Sequence, residues 1–330
     1  MAVVSTGARL HFGFQNLSLA HERLYGGLGV GLAEPRARIE ATRADDLRCA
    51  DPDVERYATR VLDVLDLPGA DVSVEDRLPR HVGLGSGTQL ALATLVAIAE
   101  AYGREVDVRA LAPQLGRGGR SGVGVATFEA GGFVADAGHP TTRFTTAPPA
   151  DGEWEVPAVA ARHALPEDWR FVLTVPDVPA GRSGSREEES MRSVVERADA
   201  GVADDIAGIV TRRLLPAVAE GRLDDFGAAV AEIGRLNGAW YADEQGGVFR
   251  PPVGTIVGEL AASDAFAGAG QSSWGPTVYG LTDSSRVDEA REAAAQALSV
   301  ADVEGRVLVC RPGNAGAWVD AGRRVDTGLR

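Results

Sequence analysis

Apolar residues recur along this chain at two spacings, and together they predict an alternation of strands and helices. Residues 8–14 (ARLHFGF) and 71–75 (DVSVE) alternate as half-buried strands, and 29–39 reads as a further strand after a turn at Tyr25-Gly26-Gly27. Val54, Tyr57, Ala58, Val61, Leu62 and Leu65 fall at helical spacing, which predicts an amphipathic helix over 52–65. From Leu90 to Ala101 the run is almost continuously apolar, the pattern of a buried helix. A short helix over 106–116 stops at glycine, and a strand over 133–136 is closed by Gly138-His139-Pro140. Residues 141–166, rich in Thr, Pro and Ala, predict a linker with one strand around Trp154. The second half predicts a buried strand over 170–176, a polar loop over 177–186 and a helix opening at Glu187-Glu188-Glu189, where acidic side chains suit the positive helix end. Helices follow over 204–219, 224–239, 253–262 and 287–298, with a strand leading out of a Gly/Ser cluster at 268–281 and a last strand over 305–310. Residues 313–328 read as a frayed tail.

Composition narrows the chemistry. The 330 residues suggest about two domains, and 45% hydrophobic residues suffice for a core. All 33 basic residues are arginine, so Schiff-base chemistry, a P-loop lysine and a lysine base are excluded together. Cationic contacts to a phosphate therefore fall to arginine, which grips anions bidentately. A net charge of −14 argues against nucleic acid and against an anionic membrane as partners. The acid excess without lysine fits a salt-rich cytoplasm, and high genomic GC content explains arginine in place of lysine equally well. Cys49 and Cys310 lack metal or redox spacing and read as buried thiols. Met1 is followed by AVVSTGARLHF, which lacks the basic start and apolar core of a signal peptide, and Glu100 interrupts the longest apolar run. A cytoplasmic protein with no membrane partner is the expectation.

Two stretches carry candidate chemistry. Gly83, Gly85 and Gly87 alternate just before the buried helix, with Ser86 and Thr88 between and after them. Residues without Cβ let the backbone approach a ligand, and the first amides of a helix favour negative charge, so a phosphate is the expected guest. Thr88 is placed as the N-cap. The second stretch, RGGRSGVGVATFEAGG from Arg117, interleaves two arginines with glycines and predicts a phosphate or carboxylate contact at Arg117 or Arg120. Glu129 reads by default as an exposed helical residue, with orientation of an arginine or a metal as the alternatives. Arg9 and His11 share one face of the first strand.

Three glycine-rich clusters in this order resemble the superfamily of galactokinase, homoserine kinase, mevalonate kinase and phosphomevalonate kinase (GHMP). GARLHFGF with YGGLGVGL resembles its first motif, GLGSGTQLA at 83–91 its phosphate-binding motif, and 268–279 its third. The resemblance implies an α+β, GHMP-kinase-like two-domain fold. A ribosomal protein S5 domain 2-like N-terminal domain (1–160) would carry the phosphate loop, a ferredoxin-like C-terminal domain (161–330) would follow, and the site would lie between them. In the kinases the next motif reads S-G-[IV]-D, and its aspartate is the base. Here it is Ser121-Gly122-Val123-Gly124, which argues against an aspartate-based kinase. GRGGRSGVGVATFEAGGFVADAGH at 116–139 is similar instead to the signature of the archaeal β-ribofuranosylaminobenzene 5'-phosphate synthases, and RLHFGF with RLYGGLGVGL resembles their N-terminus. This implies decarboxylating transfer of ribose 5-phosphate from phosphoribosyl pyrophosphate (PRPP) to 4-hydroxybenzoate or 4-aminobenzoate. CO2 and pyrophosphate would be released, on the route to methanopterin-type cofactors. Mg2+ is the implied cofactor, two small molecules the implied partners and a homodimer the implied assembly.

PRPP carries a terminal phosphate and a pyrophosphate, so the site needs two anion subsites. Gly83, Gly85, Ser86, Gly87 and Thr88 are assigned to one, and Arg117, Arg120 and Ser121 to the other. Arg9 or His11 would meet the aromatic carboxylate or the ribose phosphate, and Gln271, Ser272 and Ser273 would close the site from the second domain. No metal ligands stand out. Asp45-Asp46 and Asp204-Asp205 lack the apolar strand that precedes the paired acids of ordinary phosphoribosyltransferases, and read as surface. Two other readings are compatible with the glycine loop: an ATP-dependent GHMP kinase lacking the aspartate base, and a non-catalytic protein that binds a phosphate ligand.

Overall fold

The computed structural model describes residues 1–144, 149–179, 185–320 and 323–324. The chain opens with β1 (Ala2–Asn16), β2 (Arg23–Arg43) and the short β3 (Arg48–Cys49), then α1 (Pro52–Leu65) and β4 (Ala70–Asp76). In α1 the side chain of Asp51 caps the amides of Asp53 and Val54, Pro52 occupies the first turn, and Asp66 at φ 50° ends the helix. The face predicted from spacing is buried through Val54, Tyr57, Ala58, Val61 and Leu62. Burying each such aliphatic side chain contributes about 1.5–3 kcal/mol, which holds the helix on the sheet.

Next come α2 (Ser86–Ala101), α3 (Val108–Leu111), α4 (Val123–Ala130), β5 (Phe133–Asp136), β6 (His139–Pro140) and β7 (Val159–His163). α2 is buried on nearly every side and packs on β1, β2 and α1. Two sequence expectations fail in this half. The Tyr25-Gly26-Gly27 segment lies within β2 rather than turning before it, with Tyr25 and Gly27 paired to Asn16 and Phe14. The strand expected around Trp154 is β7 instead, whose residues pair with β5 while Trp154 lies outside it.

The second half begins with β8 (Trp169–Pro176), α5 (Ser185–Arg197) and α6 (Ala200–Ile209). A π-turn over Val210–Leu214 joins α6 to α7 (Leu215–Glu220), so the helix expected over 204–219 runs longer than its spacing implied. α8 (Leu223–Trp240), α9 (Ala242–Gln245), α10 (Val253–Ala261), β9 (Gly268–Gln271), β10 (Val278–Asp283), α11 (Val287–Val300) and β11 (Gly305–Cys310) follow. Much of the polar loop expected over 177–186 lies outside the described residues. The four strands form an antiparallel sheet in the order β11-β8-β10-β9, with helices after β8 and after β10. That β-α-β-β-α-β arrangement is ferredoxin-like.

The expected tail is not frayed where described. In β12 (Trp318–Val319), Val319 and Trp318 pair with Val4 and Ser5 at the edge of the first sheet, and β13 (Arg323–Arg324) extends it. The first sheet therefore reads β13-β12-β1-β2-β4-β3, with β5 and β6 on β2 and β7 on β5. A division at 160/161 passes through β7, a strand of this first sheet. One apolar core spans both sheets. At its junction Phe226 of α8 meets Phe12 of β1, Phe133 of β5 and Trp169 of β8, with ring centroids 6.2, 5.8 and 5.1 Å apart. The cleft described next opens beside that junction.

Candidate functional site

α2 starts without a side-chain cap. Gly85 at φ +76° is the N-cap, and the first amides to bond back, those of Thr88 and Gln89, reach its carbonyl. Thr88 is therefore inside the helix, which corrects the capping expectation. The earlier amides, of Ser86 and Gly87, precede the first intrahelical bonds and suit an anion. Gly85 is needed for a second reason, since a Cβ there would lie 2.7 Å from Cγ of Arg9. The Arg9 guanidinium donates to the carbonyl of Gly83 at 2.9 Å, and its amide donates to that of Leu84 at 3.1 Å.

The loop is fastened to the second half by Ser272, which is fully buried. Its hydroxyl donates to the Gly83 carbonyl at 2.7 Å and accepts the amide of His11 at 3.2 Å. Gln271 donates to the Ser273 carbonyl at 3.1 Å and accepts the Arg250 amide at 3.3 Å, which leaves Ser273 as the exposed member of the trio. Asn237 of α8 clamps the end of β1, accepting the Phe14 amide at 2.7 Å and donating to its carbonyl at 3.0 Å.

The Arg117–Gly132 stretch wraps a buried carboxylate that the sequence reading passed over. Asp136, at the end of β5, is fully buried and accepts the amides of Gly122 and Gly138 at 2.7 and 2.9 Å, the amide of Gly27, and the Ser121 hydroxyl at 3.1 Å. Burial pushes its carboxyl above the usual range, while these four donors pull the other way. Ser121 also accepts the Val123 amide at 3.2 Å and lies 3.1 Å from Nε2 of His11. Its hydroxyl is thereby committed to fixing the loop. Burial, and then the charges of Arg9 and Arg120, lower His11 to a pKa of about 3, so it is neutral and brings no charge to an anion.

These parts meet in one cleft of about 1170 Å³. Arg9, His11, Gly83, Gly85, Ser86, Gly87, Thr88, Arg117, Arg120, Ser121, Gln271 and Ser273 all line it, with Ser272 behind the wall. Seven arginines (Arg9, Arg56, Arg80, Arg117, Arg120, Arg143 and Arg192) face four carboxylates there (Asp53, Asp151, Glu153 and Glu155). In a chain of net charge −14 this is a local reversal of sign, and a cleft with low-dielectric walls focuses such a field on anions. The Arg117 guanidinium stacks on the ring of Tyr57 at 5.1 Å, donates to its hydroxyl, and lies 3.2 Å from where a Cβ on Gly87 would stand. Trp154 Nε1 donates to the Arg117 carbonyl at 2.9 Å. Gly124 presents no acid, and a Cβ there would stand 3.2 Å from Cγ2 of Thr88. Glu129 is buried rather than exposed and pairs with Arg109 at 2.6 Å. Three of the non-glycine residues at positive φ line the cleft, namely Tyr25, His81 and Ser273, at 70°, 55° and 55°. Backbone strain of that kind concentrates at functional sites.

Asp45, Asp46, Asp204 and Asp205 are exposed, in agreement with the surface reading. Among the described residues no three His, Cys, Asp or Glu side chains converge to hold a metal, and no helix is long and apolar enough to cross a membrane.

The phosphate loop, the ferredoxin-like half and the cleft between them define a GHMP-type fold. Residues 54–132 match the GHMP kinases N-terminal domain and 214–300 the GHMP kinases C-terminal domain. Mevalonate kinase of L. major, in complex with R-mevalonate, superimposes with a TM-score of 0.67 over 94% of this chain and 96% of that one at 16% identity. The β-ribofuranosylphenol 5'-phosphate synthase of Methanothermobacter thermautotrophicus is 32% identical, covering 96% of this chain and 98% of that protein. The synthase of the same name from Archaeoglobus fulgidus is 35% identical over 86% and 88%. Within the GHMP superfamily, the chain belongs to the family of these archaeal synthases.

Proposed function

We propose that the protein is a synthase that transfers ribose 5-phosphate from PRPP to 4-hydroxybenzoate or 4-aminobenzoate with loss of CO2 and pyrophosphate. The family membership carries this reading, because the relatives are named for a ribofuranosylphenol 5'-phosphate product, a ribosylated aromatic ring. That printed name favours the hydroxy acid. The cleft supports the reading through two anion-binding walls and a position at Gly124 without the kinase acid.

In this account the amides after Gly85, with Ser86 and Thr88, hold one phosphate group, and Arg117 and Arg120 hold the other. Arg9, fixed by the Gly83 carbonyl, lies at the edge of the first subsite. As pyrophosphate leaves, positive charge builds at the anomeric carbon, and the ring carbon bearing the carboxylate attacks it. Loss of CO2 restores aromaticity, so the protein needs no nucleophile of its own. Orientation of two bound substrates and neutralisation of the leaving group supply the rate.

The donor set fits Mg2+ entering with the pyrophosphate rather than held in a protein cage. Asp53, Asp151 and Glu155 are each paired with an arginine, while one or two carboxylates beside substrate phosphates suffice for this ion. Bound there, it would spread the charge of the departing pyrophosphate. We further propose a cytoplasmic homodimer on the route to a methanopterin-type cofactor. Pyrophosphate release tests the reading: with 4-hydroxybenzoate it should require PRPP and ignore ATP. ADP formation without any PRPP dependence would replace it with the kinase reading.

A further inference from the structure

Aromatic residues make up only 6% of the chain, yet several of them gather along one part of the cleft. Phe14 of β1, Tyr25 of β2, Phe144 after β6, Tyr241 after α8 and Trp274 between β9 and β10 all line it. Each is half-buried, and all pack on one apolar cluster of Leu17, Leu24 and Met191. Phe14 and Tyr25 meet at 5.5 Å between ring centroids, and Tyr241 and Trp274 at 4.6 Å, both pairs tilted as aromatic rings prefer. The core thus backs a wall of rings that keep part of their surface accessible in the cleft.

The wall adjoins both anion-binding stretches. At one end the Phe14 ring lies 4.9 Å from that of His11, whose Nε2 is 3.1 Å from the Ser121 hydroxyl. At the other, the neighbours of Trp274 touch the site on either side. The Ser273 amide donates to the His11 carbonyl at 3.2 Å, and Gly275 presses on the phosphate loop so closely that a Cβ there would lie 2.2 Å from the Gly83 nitrogen. A cation meets the wall as well. Arg192 of α5 lines the cleft with its guanidinium over the Phe144 ring, 5.2 Å from the centroid.

We propose that this wall is the acceptor subsite, where Tyr241 and Trp274 hold the ring of the aromatic acid and Arg192 pairs with its carboxylate. The proposal rests on the synthase reading and assigns the part of the cleft that PRPP does not use. Phosphates and a ribose call for hydrogen-bond donors and cations, which the glycine loop and the Arg117–Ser121 stretch supply. Neither group has a flat apolar face to set against a row of rings. A benzoate ring has one, and its carboxylate matches the planar fork of an arginine already held at the wall. Contact with the wall at both ends, near Ser121 and near Gly83, brings the acceptor ring beside the donor sugar. Stacking reads the face of a ring and not its para substituent, so the wall admits a hydroxy or an amino acid alike. The competing occupant is the base of a nucleotide, which is flat but carries no carboxylate on its ring.

Calorimetry on the full chain tests this with benzoate, its saturated analogue cyclohexanecarboxylate, phenol and adenosine as probes. Wild type should bind benzoate about five- to tenfold more tightly than cyclohexanecarboxylate, because only the flat ring stacks. Trp274→Leu and Tyr241→Leu keep an apolar side chain without a ring and should lose that preference, whereas Tyr241→Phe should retain it. Arg192→Gln should weaken benzoate about tenfold or more and leave phenol, which has no carboxylate, bound as before. In steady-state assays the leucine variants should raise the KM for 4-hydroxybenzoate about tenfold and leave the KM for PRPP unchanged. If Trp274→Leu fails to fold, Tyr241→Leu decides alone. An undiminished preference in the leucine variants, or undiminished benzoate affinity in Arg192→Gln, overturns the assignment. So does adenosine binding that the leucine variants weaken while benzoate binding holds. A wild type without PRPP-dependent pyrophosphate release would strike the synthase reading instead, and the benzoate preference would still judge the wall.

Discussion

Replacing Asp136 by Asn exchanges one carboxylate oxygen for an NH2 group inside a shell of donors. The two oxygens accept the amides of Gly122 and Gly138 at 2.7 and 2.9 Å, the Gly27 amide and the Ser121 hydroxyl. Whichever oxygen is lost, at least one buried N–H then faces another N–H, and a buried donor left unsatisfied costs about 1–3 kcal/mol. Losing charge assistance from the remaining bonds adds to this, whereas relief of the burial penalty that raises this carboxyl subtracts. A net loss of about 2–4 kcal/mol results, since a bond to a charged group is worth about 1.5–3 kcal/mol. At about 2–4 °C per kcal/mol for a unit of this size, the melting temperature should fall by about 5–15 °C. Thermal unfolding followed by tryptophan fluorescence measures this, and kcat/KM should fall with it because the Arg117–Ser121 loop loses its anchor. A variant that melts and turns over like wild type would refute the placement of Asp136 as the organiser of these three glycine segments.

Arg120→Ala should lower kcat/KM for PRPP by about 10²–10³, the scale for removing a preorganised charge stabiliser, while the melting temperature stays near wild type. Full activity in that variant would remove Arg120 from the anion site. Gly85→Ala forces a side chain into φ +76° and a Cβ to within 2.7 Å of Arg9, so steady-state kinetics should show a KM for PRPP raised about tenfold or more, and an unchanged KM would contradict the loop assignment. His11 has a folded pKa of about 3 against 6.5 when free, so the unfolded chain binds its proton first. Its contribution to stability is complete above about pH 6.5 and is lost as pH falls toward 3. Urea titrations across that window should show a shallower acid slope for His11→Gln than for wild type; identical slopes would contradict its burial as a neutral ring.

Much of the fold was legible because its elements are periodic. The face of α1 and the apolar run of α2 announce buried helices at the right places. Elements that failed are those whose signal is too short or comes from outside. β12 has two residues, which is no period at all, and exists because Val4 and Ser5 offer it an edge. Trp154 looked like a strand residue because large apolar side chains favour sheets, yet its indole props the Arg117 carbonyl. For the site, the glycine loop and the Arg117–Ser121 run were visible as composition. Asp136 was not, although it stands in the D-A-G-H segment that closes β5. Its importance comes from convergence, because it gathers amides from residues 27, 122 and 138. Nor does composition show that the hydroxyls of Ser121 and Ser272 bond within the protein, to the Asp136 carboxylate and the Gly83 carbonyl.

The central claim is tested most directly by counting CO2 against pyrophosphate in one reaction with carboxyl-labelled 4-hydroxybenzoate or 4-aminobenzoate, PRPP, Mg2+ and high salt, with ATP replacing PRPP in a parallel tube. The account predicts labelled CO2 and pyrophosphate in equal amounts, only where PRPP is present, and the faster acid names the substrate. Pyrophosphate or ADP appearing while the label stays on the acid would contradict decarboxylating ribosyl transfer.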